Sequence, residues 1–523
     1  MSVRGVAVHL ARTPRPAVGC PKSMGSMKLP VKTSARSLLP KVPAPAQIRA
    51  DVLAGLVVAL ALIPEAIAFS LIAGVDPRVG LYASFVMAVS IAFLGGRPAM
   101  ISAATGAMAL VAAPLSIEHG VDHLIAATLL AGLFQIVLGL AGVAKLMRFV
   151  PPSVMTGFIN ALAILIFLSQ MPYLVPFDVP VYVMVAIGLA IIFGLPRLTK
   201  AVPAPLVAIV VLTIATLTMG LSTRTVGDEG ELPDTFPVPL IPDVPYTWDT
   251  LALIAPYSLT LALVGLMESL MTAKVVDDRT RTTSDHAREA RGQGIANILV
   301  GLFGGMAGCA MIGQTMINVS SGARTRISTF LAGVFLIILC VGLGDIVGLI
   351  PMAALVAVMI FVSIVTFDWH SIAPSTVRRL PWTETLTMVV TVAVVVATGN
   401  LALGVIAGVL VSMVLFTRKA ALHADVTSVL DPEGGTRVYS VHGEVFFAST
   451  SALVDRFDYT EPGLTKVVVD MSGAHVWDSS AVAALDQVSA HFRRRGVQVH
   501  ITGLNEPSAH LHKELSGTLT DEH

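Results

Sequence analysis

From Asp51 to Arg418 the chain alternates long apolar runs with short polar breaks. Uncharged examples are 124–144, 149–177, 201–223, 346–367 and 385–417. Each matches or exceeds the ~20 residues that carry a helix across a bilayer. The last is long enough for two spans, broken at Gly399-Asn400. Segmenting residues 51–418 at Pro, Gly and charged positions predicts about fourteen membrane helices. After Lys419 the pattern changes. Alternation over 437–448 and a short apolar run at 465–471 read as strands. Asp478-Ser479-Ser480 then precedes a helix over 481–494, and 497–502 reads as a further strand. This is a small soluble α/β unit with neither a catalytic triad nor a phosphate loop.

Composition agrees with a membrane protein. Of 523 residues 54% are hydrophobic and 13% charged, with a mean hydropathy of +0.79; soluble domains carry about 25% charged residues. Lys+Arg and Asp+Glu balance at 34 each, which argues against a nucleic-acid partner. Cys20, Cys309 and Cys340 have no metal-ligand spacing, and the last two read as packing residues. Residues 1–50 are Pro-rich and basic without a signal-type apolar core, and are expected to form a disordered cytoplasmic arm. Met24 or Met27 offers an alternative start. With fourteen spans and a cytoplasmic N-terminus, sixteen of eighteen basic residues near span ends fall inside; only Arg78 and Arg224 fall outside. His119, His123 and His370 fall at predicted loops. Asp277, Asp278 and Asp285 are assigned to the solvated face of a charged cytoplasmic loop over 277–291.

The hydrophobic half carries an internal echo. Leu-Ala-Leu-Ile-Pro-Glu ending at Glu65 parallels Leu-Val-Gly-Leu-Met-Glu ending at Glu268. Gly95-Gly96 parallels Gly304-Gly305, and Pro152 parallels Pro351. The offsets are 203 (268 − 65), 209 (304 − 95) and 199 (351 − 152). Near-constant offsets predict two repeats of seven spans, and an odd number inverts the second, as in secondary transporters. Two segments rich in small residues, 97–108 and 304–315, suit extended backbone leading into half-helices within the membrane. Facing half-helix N-termini would offer N–H groups and positive dipole ends to an anion without a buried Lys or Arg; helix packing through glycine is the competing reading. Glu65 and Glu268 lie inside apolar spans, where a carboxylate is costly unless protonated, paired or bound to a cation. Thr272 lies one turn from Glu268, so the pair suits Na⁺ or a proton-carrying carboxyl.

Ordered motifs then match a family. Asp51-Val-Leu-Ala-Gly-Leu, Ile63-Pro64, Ala73-Gly74, Gly80-Leu81-Tyr82, Thr105-Gly106, Glu268-Ser-Leu-Met-Thr-Ala273, Gly292-Gln-Gly-Ile-Ala-Asn297, Phe303-Gly304-Gly305, Asn318 and Thr325-Arg326 occur in this order. The chain resembles the SulP anion transporters, relatives of pendrin and prestin. In the tail Gly443-Glu-Val-Phe-Phe-Ala448 and Val469-Asp-Met-Ser472 with Asp478-Ser-Ser480 resemble a STAS domain. The resemblance implies an α-helical membrane protein with a core and a gate domain over 51–419, a cytoplasmic STAS domain over 435–515, an elevator-like movement and a homodimer. It places the anion at Thr105 and Gly106 in the third span and at Ala310, Met311 and Ile312 in the tenth. It puts Glu268 and Thr272 where Na⁺-coupled members hold Na⁺, and Glu65 where the family often has Gln. No enzyme activity or cofactor is expected beyond Na⁺ as a candidate coupling ion. The expected function is secondary transport of bicarbonate or sulfate with Na⁺ or H⁺, in a multi-pass plasma-membrane protein with both termini cytoplasmic. Alternatives are a proton-coupled dicarboxylate or nucleobase carrier, and a membrane-anchored STAS regulator. Ser479 is the candidate phosphosite, with a helix N-cap as the simpler role, and a regulatory protein is the candidate STAS partner.

Overall fold

The structure, a computed structural model, describes residues 44–142, 150–175, 178–198, 203–221, 223–431 and 435–517. Cys20, three of the basic residues assigned to inner span ends (Lys145, Arg148 and Lys200) and most of the expected N-terminal arm lie outside them. Fourteen membrane elements follow in chain order among the described residues. Spans 1 and 2 are Pro45–Ile72 and Pro77–Leu94. Span 3 is a strand, β1 (Ser102–Ala104), leading into the helix Gly106–His119. Spans 4 to 7 are Val121–Leu140, Pro152–Leu168, Val179–Leu198 and Ala204–Met219. Spans 8 and 9 are Trp248–Thr280 and His286–Leu302. Span 10 repeats the strand–helix plan, with β2 (Gly308–Ala310) before Ile312–Ser320. Spans 11 to 14 are Arg326–Gly342, Met352–Thr366, Trp382–Thr398 and Leu401–Ala421. Seven helices are long and apolar enough to cross a membrane by length and composition.

Packing divides these spans into two groups. Spans 1–4 and 8–11 pack together as a core, and spans 5–7 and 12–14 as a second bundle, the gate. The partners repeat: span 1 packs on 11 as 8 packs on 4, span 2 on 11 as 9 on 4, and span 5 on 13 as 12 on 6. That is the signature of two copies of one seven-span unit. The antiparallel pairing of β1 with β2 supplies the inversion, with Ala103 opposite Cys309. Their offset of 206 (309 − 103) falls among those read from the sequence. Spans 4 and 9 approach closely within the core, where a Cβ on Gly132 would sit 2.6 Å from the Gly294 carbonyl, and the reverse. These two glycines serve packing.

Turn chemistry sets the breaks. Gly399 takes φ +64°, and the Asn400 side chain accepts from the N–H groups of Ala402 and Leu403 to start span 14. Three expected boundaries differ. Span 1 begins at Pro45, so the end of the expected arm is helical, with Pro in its first turn. The run 346–367 is not one span: Gly344–Gly348 is a separate turn of helix, and Pro351 caps a helix starting at Met352. The supposed loop 277–291 is mostly helix. Span 8 runs to Thr280 and span 9 starts at His286, capped by Asp285. Asp277 is not solvated; it meets Arg97 at 2.8 Å, with side chains only 15% and 8% exposed. Arg97 lies 180 residues away, a partner that local charge patterning cannot reveal.

The soluble domain is a four-stranded sheet in the order β3-β4-β5-β6: Asp425–Leu430, Thr436–Val445, Lys466–Val476 and Gln498–Thr502. The first pair is antiparallel and the others parallel. Its first strand thus precedes residue 435. Tyr439, Phe457 and Phe492 meet over its core beside the helix Ser479–Arg493.

Candidate functional site

The site forms where the two half-helices begin. β1 and β2 are fully buried and hold each other in register, and the Met311 N–H extends the ladder to the Ile101 carbonyl at 2.9 Å. Three-residue strands cannot hold themselves, and span 9 braces them. Asn297 accepts from the Gly308 N–H (2.8 Å) and donates to the Gly308 carbonyl (3.0 Å) and to Gln135 Oε1 (2.8 Å). Gln293 donates to Ser102 Oγ at 2.8 Å. Ser269 Oγ accepts from the Ala310 N–H at 3.1 Å, and Thr315 Oγ1 from the Ile101 N–H at 3.0 Å. Every group on these strands faces protein, as irregular backbone within a membrane requires.

Beyond the strands the chain turns into helix on both sides. Thr105 caps span 3 and accepts from the Met108 N–H at 3.3 Å, with Gly106 as the first helical residue. Ala310 ends β2, Met311 occupies the cap position of span 10 without a side-chain bond, and Ile312 begins the helix. Both helices therefore present first-turn N–H groups that have no partner within the helix. Residues 98–142 and 292–323 contain no Lys or Arg. The positive potential here comes from backbone dipoles. The space differs on the two sides. A Cβ on Gly106 would meet Phe69 and Ile166 at 3.0 Å, whereas one on Gly313, in the first turn of span 10, would meet nothing within 4 Å. Gly313 is exposed in an otherwise buried neighbourhood.

Both sequence-marked carboxylates reach this place. Glu268 is 9% exposed, and its Oε2 accepts from Cys309 Sγ at 2.8 Å. The same sulfur lies 3.2 Å from Thr105 Oγ1, so one thiol joins the span 3 cap to the span 8 carboxylate. Cys309, read from the sequence as packing, is a polar member of the site; only its folded neighbours reveal this. Thr272 donates to the Glu268 backbone carbonyl at 2.8 Å and approaches the Ala310 carbonyl at 3.5 Å. Glu65, half-buried beside Pro64 in span 1, accepts from Gln314 Nε2 at 2.8 Å. Gln314 is 2% exposed, and its Oε1 is buried without a partner. Gln314 carried no signal in the sequence beyond a small-residue run, whereas Asn297 lay within a quoted motif but without a role.

In the soluble domain the helix cap is Asp478, which accepts from Ala481 N–H at 2.9 Å and Phe447 N–H at 2.8 Å. Ser479 is therefore not the cap; it is the first helical residue and is exposed.

Comparison with known proteins adds the lineage. The profile described as the Sulfate permease family matches residues 48–187 and 176–391, and the STAS domain profile matches 429–517. "Putative sulfate transporter YbaR" of Bacillus subtilis (strain 168) is 52% identical over 469 residues, 90% of this chain and 97% of that protein. "Bicarbonate transporter BicA" of Picosynechococcus sp. is 28% identical over 391 residues, 67% of this chain and 69% of that one. Two solved structures share the fold. The transmembrane domain of a cyanobacterial bicarbonate transporter, BicA, superposes with a TM-score of 0.61 at 24% identity, covering 70% of this chain and 98% of that one. The murine anion transporter Slc26a9, in its inward-facing state, superposes with a TM-score of 0.78 at 17% identity, covering 91% and 89%. The chain belongs to the sulfate permease (SulP) family of anion transporters and ends in a STAS domain.

Proposed function

We propose that this protein carries sulfate or bicarbonate across the plasma membrane by symport with H⁺ or Na⁺, as the core moves elevator-like against the gate. The observation that carries this reading is the β1–β2 pairing, which sets two half-helix N-termini side by side in a site without a basic side chain. Backbone N–H groups at helix starts suit a compact oxyanion. The 52% identity to a protein named for sulfate favours sulfate, and the likeness to a bicarbonate transporter keeps bicarbonate beside it.

The coupling follows from charge. Glu65 bonds to Gln314 in the first turn of span 10, and Glu268 bonds to the thiol at the end of β2. An ionised carboxylate there repels the anion that the dipoles attract, and both occupy the site together only when a cation or proton neutralises the carboxylate. The Thr272 hydroxyl lies against the Glu268 and Ala310 backbone carbonyls, oxygen donors of the kind that suit Na⁺ as a transported ion, and the Glu268 carboxyl on the same span would supply the charge. Protonation of Glu65 or Glu268 serves the same end. Cytoplasmic termini, a homodimer and a regulatory partner for the STAS domain complete the proposal.

The test is uptake of labelled sulfate, bicarbonate and succinate into proteoliposomes, under a Na⁺ gradient, a proton gradient or neither. Gradient-driven uptake of an inorganic anion, lost in Glu268→Gln and kept in Ser479→Ala, is the expected result. Uptake of succinate alone identifies a dicarboxylate carrier instead. A signalling output that requires Ser479 and ignores Glu268 identifies a regulator.

A further inference from the structure

A separate groove lies at the Trp248 end of the core, away from the anion site. Residues 230–247 form a strap across that end, tied down by hydrogen bonds that include four to spans 2, 4 and 9. The Arg78 N–H donates to the Glu231 carbonyl (3.1 Å), the Tyr82 hydroxyl to the Thr235 carbonyl (3.0 Å), the Leu240 N–H to the Leu302 carbonyl (2.7 Å) and the Asp243 N–H to Asp122 Oδ1 (3.3 Å). Beneath the strap a cavity of about 370 Å³ opens between spans 4 and 8. Its walls are two helical stripes, Ala126, Leu130 and Leu133 on span 4 and Thr247, Leu251 and Ile254 on span 8, with Val244 and Tyr246 as the roof.

The walls define the occupant. The hydroxyls of Thr247 and Thr250 bond to each other at 3.1 Å, and the remaining lining is almost wholly apolar. A peptide or a polar solute would leave its hydrogen-bonding groups unmet here; an acyl chain has none to meet. The span 4 stripe continues through Val137 and Leu140, 54% and 68% exposed, so the groove is continuous with a membrane-facing helix surface. Tyr246 and Trp248, 80% and 83% exposed, stand at its mouth as aromatic residues do at a bilayer interface. Exposed Asp122 and Asp243, joined by the Asp243 N–H at 3.3 Å, and exposed Asp249, next to Trp248, lie on the segments that border that mouth. Carboxylates repel an anionic headgroup and attract an ammonium.

We propose that this groove holds one acyl chain of an amine-headed phospholipid of the phosphatidylethanolamine class, whose ammonium lies among the three aspartates. The lipid would splint the strap to spans 4 and 8 within the core. Native mass spectrometry of the purified full-length protein, stripped of lipid and then offered phosphatidylethanolamine or phosphatidylglycerol, tests this. The wild type retains one phosphatidylethanolamine per chain in preference to phosphatidylglycerol. Leu130→Trp, which fills the groove from span 4, and Leu251→Trp, which fills it from the 38%-exposed span 8 position, lose that lipid. Leu217→Trp, on the 56%-exposed face of span 7, keeps it. The proposal is overturned by a wild type that retains no lipid, by equal retention of both headgroups, or by retention in both groove-filled variants. It is equally overturned by a wild-type dimer that both variants dissociate, because a second copy would then fill the groove.

Discussion

Asn297→Ala removes the brace that holds β2. Asn297 is fully buried and makes three bonds: two to the backbone of Gly308 and one to Gln135. Truncation leaves the Gly308 N–H, the Gly308 carbonyl and Gln135 Oε1 without this partner. A buried polar group left unmet costs roughly 1–3 kcal/mol, so three of them set an upper range of several kcal/mol. Water entering from the open side at Gly313 offsets part of this, and about 3 kcal/mol is a working figure. Strand β2 directs the first turn of span 10, so the loss falls on anion binding as well as on stability. If half of it reaches the site, affinity falls about tenfold, since 1.4 kcal/mol is a factor of ten. The assay is sulfate or bicarbonate binding by calorimetry on purified protein, with a melting curve on the same sample. Asn297→Asp keeps the acceptor for the Gly308 N–H but sets a buried carboxylate oxygen against the Gly308 carbonyl and Gln135 Oε1, and should fall below Asn297→Ala. Wild-type affinity in Asn297→Ala would refute the idea that the strand brace shapes the site.

Two further outcomes follow from particular residues. Gly313→Leu places a side chain where a Cβ meets nothing within 4 Å; helix propensity alone favours Leu by up to about 1 kcal/mol. The variant should melt no lower than the wild type yet lose uptake, as proteoliposomes and a melting curve will show. In the STAS domain, Asp470 accepts from the Ser472 N–H at 3.0 Å, and its Ser472 bonds hold its carboxyl below the ordinary value. A carboxyl depressed by folding stabilises the domain when ionised and loses that contribution as the pH falls through its folded pKa. Followed by circular dichroism, Asp470→Asn should therefore be less stable than the wild type near neutrality, and the difference should vanish at the acid end, so its stability falls less steeply with acid.

What the sequence revealed, and what it hid, follows the range of the interactions. The Gly399-Asn400 break was legible because turn and cap chemistry is local. The half-helices were legible because small-residue runs are odd in membrane helices, and the repeat because its anchors recur near a constant offset. Asp277 was misplaced because its partner, Arg97, is far off in sequence and a charged run resembles a loop. Cys309 was read as packing because a thiol acquires its meaning from Glu268 and Thr105, on two other spans. Gln314 was missed for the same reason. The helix cap lies one residue before Ser479, at Asp478, because adjacent Asp and Ser compete for the same cap and only the backbone of the helix start decides.

Thr105→Trp shows whether the anion passes between the two half-helices. Thr105 is 2% exposed and caps the helix whose N-terminus is proposed to face the anion. An indole there fills the space between the half-helices. The measurement is uptake of labelled sulfate and bicarbonate into proteoliposomes containing matched amounts of wild-type and variant protein. Normal expression with no uptake of either anion is expected. Uptake at the wild-type rate would show that the anion does not pass between these two helix starts.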